Sequence, residues 1–413
     1  MKILQINKFY HTKGRSGGVG RYLFALNELL GKAGHEIQIF AMKDKDSAPS
    51  IYSSYFVEEQ DFSKPKLSLR SIKNFPKFIY SLEAKRKIEE LIKKEKPDIA
   101  HVHNIYHHIT PSILSVFKKY QIPVVQTLHD FHLISPNYNL CFNNRVHESC
   151  SHGKFWKAIT HKCVKNSRSA SLAATIRLYF EKISKIYSKN INYFLAPSKF
   201  IKDKYINNNF PKDKMIYLKP FIEIDQYSPK LSPGNYILFF GRIHSQKGIT
   251  DLIEAVSELP NINLKIVGSG PDQEKLKDLI KEKKWSNIEM IGPKYGNDLK
   301  ETIGNSAFVV VPSVSYENSP FSVIESFAMG KPVIASNLGG LPELIEDGKT
   351  GVLFEAGNIK DLRKKIEYLY EHPCDIRTMG LTARLFVEKN FSPQVHYKNL
   401  MNVYQKAIDQ KNI

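Results

Sequence analysis

The sequence predicts an α/β protein with two doubly wound parallel-sheet domains. Short apolar runs that suit buried parallel strands alternate with amphipathic helical stretches along most of the chain. The alternation begins at residues 3–7 and begins again at 235–242, and 413 residues exceed one ordinary hydrophobic core. Two Rossmann-like halves of comparable size imply a central cleft, where ligands usually bind.

The domain boundaries follow from this alternation. We expect an N-terminal domain over residues 1–212, with an irregular insertion at 131–170 where no strand–helix alternation is visible. A segment rich in Pro and Lys, 213–234, is the expected linker. The C-terminal domain is expected over 235–390, and a helix within 391–413 is expected to pack back on the N-terminal domain.

Polar residues follow two predicted strands of the N-terminal domain, 98–102 and 122–127. Because ligands bind beyond the carboxyl ends of parallel strands, these residues are site candidates, although a single histidine there is most often structural. They are His103, Asn104, His129 and Asp130. Near the N-terminus, the glycines of GGVGRY open a helix but do not match G-x-G-x-x-G, so a dinucleotide site is not expected.

The net charge of +19 calls for an anionic partner. Residues 154–190 hold nine Lys or Arg against one acid, and residues 61–96 hold eleven against five, with apolar side chains between them. Basic amphipathic segments suit the anionic inner face of a membrane. Nucleic acid is the rival partner, but no recognised nucleic-acid module is present. A solvated helix face is the third alternative.

The chain is expected to be cytoplasmic, peripheral on the inner face of the cell membrane. No run of about 18 apolar residues predicts a transmembrane helix, and the start of the sequence, MKILQINKFY, lacks a signal-peptide layout. The four cysteines then suggest a reduced compartment. His147, Cys150, His161 and Cys163 offer zinc-ligand chemistry, but their spacing matches no established finger. We therefore expect buried thiols and no metal, with a bound metal as the alternative.

The C-terminal half carries the residues that suit a sugar nucleotide. Arg242 follows the strand that ends at Gly241, and Lys247 comes five residues later, so a planar fork and a point charge are available for a diphosphate. Glu317 and Glu325 can accept hydrogen bonds from hydroxyl groups. Glycine loops allow close approach of a ligand, and those concerned are Gly268, Gly270 and the pair Gly339–Gly340, which precedes a helix and resembles an anion site.

The same half shows no metal-binding triad, no Walker A motif and no nucleophile elbow. No Asp-x-Asp pair stands at the end of a strand. We therefore expect Arg242, Lys247 and helix dipoles to balance the charge of a leaving diphosphate.

Four motifs identify a family resemblance: GRIHSQKG, VGSGP, PSVSYENSPFSVIESFAMGKPVIASNLGGLPELI and DGKTGVLF. They resemble glycosyltransferase family 4, whose members are retaining enzymes of the GT-B fold. The likeness spans most of residues 236–356. More loosely, GGVGRY and TLHDFHLISPN are similar to members that build bacterial cell-surface polysaccharides such as capsule, O-antigen or exopolysaccharide.

The resemblance implies a role for each site residue. Arg242 and Lys247 would bind the donor diphosphate, Glu317 the hydroxyls of the donor sugar, Glu325 the ribose, and His129 would lie near the reacting sugar. The implied catalytic set is His129, Arg242, Lys247 and Glu317. The implied donor set comprises Arg242, Lys247 and Glu317 together with Gly17, Gly18, Gly241, Gly268, Gly270, Asn318, Ser319, Pro320, Phe321, Ser322 and Glu325. His103, Asn104 and Asp130 would lie on the acceptor side.

The resemblance also implies retention of anomeric configuration, no cofactor and no bound metal. The partners would be a nucleotide-diphosphate sugar, a lipid-linked or glycan acceptor and an anionic membrane surface. Asn318 to Ser322 depart from the Phe-Gly-Leu-like segment of many relatives, which would bear on donor choice. The alternatives are a GT-B-fold sugar-nucleotide epimerase or hydrolase, a basic nucleic-acid-binding protein and an inactive scaffold subunit.

Overall fold

The computed structural model of the chain describes residues 1–11, 17–59 and 76–410. The chain divides into two compact units. The first comprises Met1–Leu140, His147–Leu218 and His396–Ile413, and the second comprises Cys141–Val146 and Lys219–Val395. Residues 12–16 and 60–75, which include the first part of the predicted basic segment, lie outside the described residues.

The first unit contains a six-stranded parallel sheet in the order β10-β9-β6-β5-β1-β2. Its strands are β1 Lys2–Ile6, β2 Glu36–Phe40, β5 Ile99–Val102, β6 Val124–Thr127, β9 Tyr193–Ala196 and β10 Met215–Tyr217. Two small pairs of strands lie outside the sheets: β3 Met42–Lys43 with β4 Val57–Glu58, and β7 Cys141–Phe142 with β8 Arg145–Val146.

The second unit contains a six-stranded parallel sheet in the order β13-β12-β11-β14-β15-β16. Its strands are β11 Ile237–Phe240, β12 Leu264–Val267, β13 Ile288–Gly292, β14 Val309–Val311, β15 Val333–Ser336 and β16 Gly351–Phe354.

Helices cover the faces of both sheets. Those in the first unit are α1 Gly17–Lys32, α2 Leu82–Glu95, α3 Leu114–Lys119, α4 Lys157–His161, α5 Arg168–Ser184, α6 Ile186–Asn190, α7 Lys199–Asn207 and α15 Pro393–Asp409, whose first residues precede the unit boundary. Those in the second unit are α8 Ile249–Ser257, α9 Gln273–Glu282, α10 Gly296–Gly304, α11 Phe321–Ala328, α12 Leu341–Leu344, α13 Ile359–Glu371 and α14 Pro373–Asn390.

The apolar strands are explained by burial on both faces of each sheet. In β11, Ile237 and Phe239 belong to one buried cluster, which includes side chains of α8 and α13. Leu238 and Phe240 belong to the opposite cluster, with side chains of α11 and α14. Successive side chains of a strand point to opposite faces, so a continuous apolar run marks a strand that is covered on both sides.

Two segments differ from the domain expectations. The predicted linker at 213–234 contributes β10 to the first sheet, where Met215 pairs with Phe194, so the division between units falls at Leu218. The insertion expected to be irregular, 131–170, contains the β7–β8 hairpin and α4.

The last helix, α15, returns the chain to the first unit. Tyr404 Oη lies 2.7 Å from Nδ1 of His101 in β5, and Tyr22 Oη of α1 lies 3.0 Å from His396 Nε2. Leu400 and Tyr404 are fully buried. The helix is therefore part of the packed interior of this unit.

Candidate functional site

In the second sheet, the strand order reverses between β11 and β14. Strands β12 and β13 follow one another on one side of β11, and β14, β15 and β16 follow one another on the other side. The order of this sheet corresponds to the 3-2-1-4-5-6 order of doubly wound sheets, in which ligands bind beyond the carboxyl ends of the strands at this switch point. The loops that leave β11 and β14 carry Arg242, Lys247 and Glu317. The topology thus places the sequence-predicted residues where a ligand site is expected.

Lys247 and Glu317 form the central pair of this site. Lys247 ends a short 3₁₀ turn, Ser245–Lys247, and its Nζ lies 2.5 Å from Glu317 Oε1. The same carboxylate oxygen accepts a 2.7 Å hydrogen bond from Ser313 Oγ. The Glu317 side chain is 12% exposed and that of Lys247 35%. A charged pair therefore lies at the surface of the switch point, with one side open to solvent.

The other two charged candidates differ in exposure. Arg242 is exposed, and it has no hydrogen-bond or ion-pair partner in the described parts of the chain. Glu325 lies in α11, is 2% exposed, and accepts a 2.9 Å hydrogen bond from Tyr227 Oη. Arg242 is thus available to an incoming anion, whereas Glu325 is fixed by its neighbours. Ser313 and Tyr227, which hold the two glutamates, had not been identified from the sequence.

The glycines of these loops are explained by loop-to-loop packing. A Cβ on Gly268 would lie 1.8 Å from the carbonyl oxygen of Gly241, and one on Gly270 would lie 2.0 Å from that of Ile243. A Cβ on Gly248, whose φ is +66°, would lie 1.8 Å from the carbonyl oxygen of Pro312. Because these glycines have no side chain, the loop backbones can pack in direct contact. This packing supports the loop that carries Arg242, and it explains the glycines without a ligand.

The anion site expected at Gly339–Gly340 is corrected by the structure. The Gly340 N–H donates a 2.7 Å hydrogen bond to the Glu317 carbonyl oxygen, and the following helix, α12, has only four residues. A Cβ on Gly340 would lie 1.9 Å from the carbonyl oxygen of Asn318. This loop therefore supports the backbone at 317–318, and the Gly340 amide is not free to bind an anion.

The segment between the two glutamates leads into α11. Pro320 is the N-cap residue, and the helix begins at Phe321. Asn318 and Ser322 are partly buried. Ser319 Oγ is buried and has no hydrogen-bond partner within the described residues. An unsatisfied hydroxyl beside Glu317 is a suitable contact for a polar ligand, because a buried polar group without a partner is costly.

In the first unit, the loops after β5 and β6 bring two histidines together. His103 Nδ1 lies 2.9 Å from His129 Nε2, and His103 Nε2 lies 3.0 Å from Gln5 Oε1 in β1. Burial lowers the pKa of His129 to about 4, and burial with the neighbouring histidines lowers the pKa of His103 well below its usual range. Both rings are therefore neutral at pH 7.

Asp130 is held by neighbours in the same loop region. Tyr106 Oη donates a 2.8 Å hydrogen bond to it, and His132 Nδ1 lies 2.6 Å from its other oxygen. Burial alone would raise the pKa of Asp130, but His132 and Tyr106 bring it down to about 2. Asn104 N–H donates to Asn7 Oδ1 at 3.1 Å, which fixes the loop after β5 to the loop after β1.

Lys8 is a residue that the sequence analysis missed. It follows β1 at the switch point of the first sheet, and its Nζ lies 3.9 Å from the ring centroid of Tyr106. Burial lowers the pKa of Lys8 to about 8, against the opposing effect of Asp130. Its position directly after a predicted strand was the available signal. Gly17 and Gly18 begin α1 and follow residues 12–16, which lie outside the described residues.

Within the described residues, no helix is both long enough and apolar enough to span a lipid bilayer.

Two family models match the chain. The model described as glycosyl transferases group 1 matches residues 221–385, and the model described as Glycosyltransferase Family 4 matches residues 16–226. The chain belongs to glycosyltransferase family 4. The resemblance found in the sequence motifs is thereby confirmed, and it extends across both units.

Several curated members of the family are similar in sequence. An uncharacterized glycosyltransferase of Methanocaldococcus jannaschii is 31% identical over 54% of this chain and 62% of its own length. N-acetyl-alpha-D-glucosaminyl L-malate synthase of Bacillus anthracis is 22% identical over 98% of this chain and 97% of its own. The capsular polysaccharide biosynthesis glycosyltransferase CapM of Staphylococcus aureus is 27% identical over 56% and 65%. The first and third alignments span less than two thirds of the relatives' length.

Solved structures show the same fold. HepE of Anabaena in complex with UDP and glucose matches with a TM-score of 0.69 and 17% identity, over 98% of this chain and the whole of that one. The neighbours are GT-B glycosyltransferases, so the predicted fold class, GT-B with two parallel-sheet α/β units, is confirmed.

Proposed function

We propose that the chain is a retaining glycosyltransferase that moves a sugar from a nucleotide-diphosphate sugar to a lipid-linked or polysaccharide acceptor in cell-surface polysaccharide biosynthesis. The observation that carries the proposal is the Lys247–Glu317 pair at the switch point of the second sheet, with Ser313 on the same carboxylate. A cation can bind the diphosphate, and a neighbouring carboxylate can accept hydrogen bonds from sugar hydroxyls. The pair therefore suits the part of the donor where the diphosphate joins the sugar.

The charges support departure of a nucleoside diphosphate. Arg242 and Lys247 would neutralise the negative charge that develops on the diphosphate as the glycosidic bond breaks, which is the largest single catalytic effect such a site can supply. Arg242 can bind two phosphate oxygens through its planar guanidinium, and Lys247 adds a point charge. In this proposal no metal ion and no cofactor takes part.

Glu317 and Glu325 would accept hydrogen bonds from the two hydroxyl-bearing parts of the donor, the sugar and the ribose. Glu317 Oε1 is already engaged by Lys247 and Ser313, and its other oxygen is left for sugar hydroxyls. Glu325 would accept from the ribose, with Tyr227 holding its orientation. The unpartnered Ser319 hydroxyl gives the segment between the glutamates a further polar contact.

The first unit would supply the acceptor side. Neutral His129 could hydrogen-bond an uncharged sugar hydroxyl without adding charge near the reacting carbon, and Asp130 and His103 would hold its loop. Retention would follow from attack on the face that the diphosphate leaves, with a phosphate oxygen taking the proton of the acceptor hydroxyl. The polysaccharide assignment is supported by the capsular relative, and the sugar-nucleotide assignment by the UDP and glucose complex of HepE.

Helix α5 supports a membrane-associated acceptor. Leu172, Ile176, Phe180 and Ile183 are exposed by 46%, 39%, 36% and 79%, and their spacing places them along one face. The one acid of residues 154–190, Glu181, is buried in an ion pair with Arg177, so the remaining eight basic residues are uncompensated within that segment. An exposed apolar stripe in a segment with a large excess of cations fits an anionic lipid surface.

A thermal-shift screen with UDP-, GDP-, ADP- and dTDP-sugars tests the donor proposal. The matching sugar nucleotide should raise the Tm, and the shift should grow with the logarithm of its concentration once this exceeds the Kd. Arg242→Ala and Lys247→Ala should lose this shift and lower kcat/KM at least about a hundredfold while keeping the unliganded Tm. Lys349→Ala, which removes an exposed ion pair with Glu346 in the same unit, is the matched control. Near-normal activity of both site variants would contradict the diphosphate assignment.

Sedimentation with vesicles tests the membrane proposal. Vesicles with about 30% anionic lipid should bind the chain at low salt and release it at high salt, since exposed charges are screened. Ile183→Glu should weaken binding at least about fivefold, whereas Leu385→Glu, at an exposed site on α14, should not. Absence of binding at low salt would remove the membrane assignment and leave the transferase assignment intact.

A further inference from the structure

Four potential metal ligands come together in the first unit, outside the residues used above. They are His147, Cys150, His161 and Cys163, and one donor atom of each lies within 4.8 Å of the donor atoms of the other three. Across the described parts of the chain, this is the one group of three or more such side chains that could hold a metal ion. We propose that this cluster binds one Zn²⁺ ion as a closed Cys₂His₂ site.

The separations fit a tetrahedral zinc ion. His147 Nε2 lies 3.5 Å from Cys150 Sγ and 3.2 Å from His161 Nδ1, and the two sulfur atoms lie 3.3 Å apart. With ordinary Zn–S and Zn–N bond lengths, the expected tetrahedral edges are about 3.6 Å for S–N, about 3.3 Å for N–N and about 3.8 Å for S–S. These three distances lie within about half an ångström of the expected edges. The widest separation allowed among the four donor atoms, 4.8 Å, exceeds the longest edge by about 1 Å, so side-chain movements of about 1 Å can complete the site.

Two local turns create the cluster. His147 and Cys150 stand three positions apart across a tight turn in which Ser151 N–H donates to the Glu148 carbonyl oxygen at 2.9 Å, and this spacing is common for paired zinc ligands. The second pair lies at the end of α4, where Lys162 adopts a left-handed φ of 53°. That residue reverses the chain, so His161 and Cys163 can contribute to one site although only one residue separates them.

The second turn explains why sequence spacing gave no zinc motif. A single intervening residue normally sends two side chains in different directions on a helix. Here the left-handed turn and the 3.0 Å hydrogen bond from Cys163 N–H to the Ala158 carbonyl oxygen bring Cys163 back beside Cys150. Asn137 Nδ2 fixes the turn further by donating to the Cys163 carbonyl oxygen at 3.1 Å.

Charge and burial favour a structural ion. Two thiolates balance the two charges of Zn²⁺, and two neutral imidazoles complete the coordination, so a neutral group results on the partly buried side of the segment. Cys150 is fully buried and Cys163 is 6% exposed, whereas His161 is exposed. Four protein ligands leave no open coordination position for a substrate. The ion would tie the segment 147–163 to itself and take no part in sugar transfer.

Metal analysis of the full-length wild-type chain is the primary test. Protein purified under reducing conditions without chelators should contain about one zinc per chain. After removal of zinc, Co²⁺ should bind with sulfur-to-cobalt charge-transfer bands and the intense visible bands of tetrahedral coordination. This measurement needs no substitution, so misfolding of a variant cannot imitate the result. Zinc below about a tenth of an equivalent together with no cobalt bands would overturn the proposal.

Substitutions locate the ion. Cys150→Ser and Cys163→Ser should each lose the charge-transfer bands or reduce their intensity by about half, and the double variant should lose zinc. Cys374→Ser, at the exposed cysteine of the second unit, should retain both. Full zinc content in the double variant would overturn the site. A Cys150–Cys163 disulfide in the freshly purified wild type, detected as a loss of two hydrogens by mass spectrometry, would also overturn it.

Discussion

At the scale of single residues, the contact between Lys247 and Glu317 makes the separate roles proposed for these two residues testable. The Lys247 Nζ is 2.5 Å from a carboxylate that is 12% exposed, so the carboxylate competes with any phosphate for the same cation. If Lys247 binds the diphosphate and Glu317 the sugar, the two residues have opposite effects on a ligand that lacks the sugar.

We therefore predict opposite changes in nucleotide affinity. Glu317→Gln removes the competing charge, so the nucleoside diphosphate of the donor should bind as tightly as to the wild type or a few-fold more tightly. Lys247→Ala should weaken the same ligand at least about tenfold. Both variants should lower kcat/KM with the complete donor by about a hundredfold or more, because both contacts act in the transition state. Isothermal titration calorimetry and initial rates measure the two quantities.

Ser313→Ala supplies the control for this prediction. It removes one hydrogen bond to Glu317 but keeps both charges, so the nucleotide affinity should stay near that of the wild type and the rate should fall less than in Glu317→Gln. Weaker binding of the nucleoside diphosphate by Glu317→Gln, or unchanged binding by Lys247→Ala, would contradict these separate roles.

The sequence predicted charged residues that the structure brings to the switch point of the second sheet, whereas its prediction for Gly340 was wrong. Arg242, Lys247, Glu317 and Glu325 stand in motifs whose residue types suit the ligand. Gly340 was expected to offer its amide to an anion, whereas this amide is bound to the Glu317 carbonyl oxygen. A glycine in sequence shows that a side chain is excluded, but it does not show whether a ligand or another loop excludes it.

At the scale of secondary-structure elements, β5 and the loop after β6 place three histidines in a row. His101 Nε2 lies 2.7 Å from Thr127 Oγ1, the rings of His101 and His103 stack with centroids 4.4 Å apart, and His103 contacts His129. Burial lowers the pKa of all three rings, to about 4 for His129. Protonation of any of these rings therefore lowers the stability of the folded first unit.

We predict that the first unit loses stability as the pH falls from about 6.5 towards 4. A histidine in the unfolded chain has a pKa of about 6.5, so between about pH 6.5 and pH 4 the unfolded chain binds more protons than the folded chain. The stability that these neutral rings contribute above about pH 6.5 is therefore lost as the pH falls. For His129 alone the loss between pH 7 and pH 5 is about 2 kcal/mol. Asp130 does not contribute in this window, because its stabilising effect is lost only as the pH falls below about 4 towards its folded pKa of about 2.

Urea unfolding at pH 7 and pH 5 measures this difference. His129→Gln cannot be protonated, so its stability should change between the two pH values by about 2 kcal/mol less than that of the wild type. His372→Gln, at an exposed histidine of the second unit, should keep the full pH dependence. Equal pH dependence in wild type and His129→Gln would show that the ring is not held neutral.

Strands were more predictable than the elements around them. In β11 and β14 every residue is buried, so apolar runs identified them directly. Strand β10 was assigned to a linker because Lys and Pro residues surround its three residues, and only its pairing with β9 makes it a strand. Likewise, the left-handed Lys162 that brings Cys163 to Cys150 is a backbone feature without a composition signal.

At the scale of the whole molecule, the first unit is assembled from distant parts of the chain. Its last helix, α15, follows the entire second unit in sequence, yet Leu400, Val403, Tyr404 and Ala407 are buried. The Tyr404 hydroxyl also bonds to His101 in the middle of the sheet. The first unit therefore cannot be completed by any continuous fragment that ends before the second.

We predict that a fragment of residues 1–218 does not fold cooperatively on its own. Burial of the larger side chains of α15 contributes on the order of 5 kcal/mol, at about 1.5–3 kcal/mol each, which is comparable to the net stability of a typical domain. The fragment should lack a sharp thermal transition and near-ultraviolet circular dichroism. Adding residues 393–413 through a Gly/Ser linker of about 20 residues should restore both, because such a linker spans about 25 Å on average.

A substitution in the full chain separates packing of α15 from chain length. Tyr404→Phe keeps the buried ring but removes the hydrogen bond to His101 Nδ1, so it should cost about 1–3 kcal/mol and leave the protein folded. Leu400→Ala should cost about 2–5 kcal/mol through the cavity it leaves. If residues 1–218 instead unfold cooperatively with the same Tm with and without the added helix, α15 is a passive extension, and the two substitutions should then have little effect on stability.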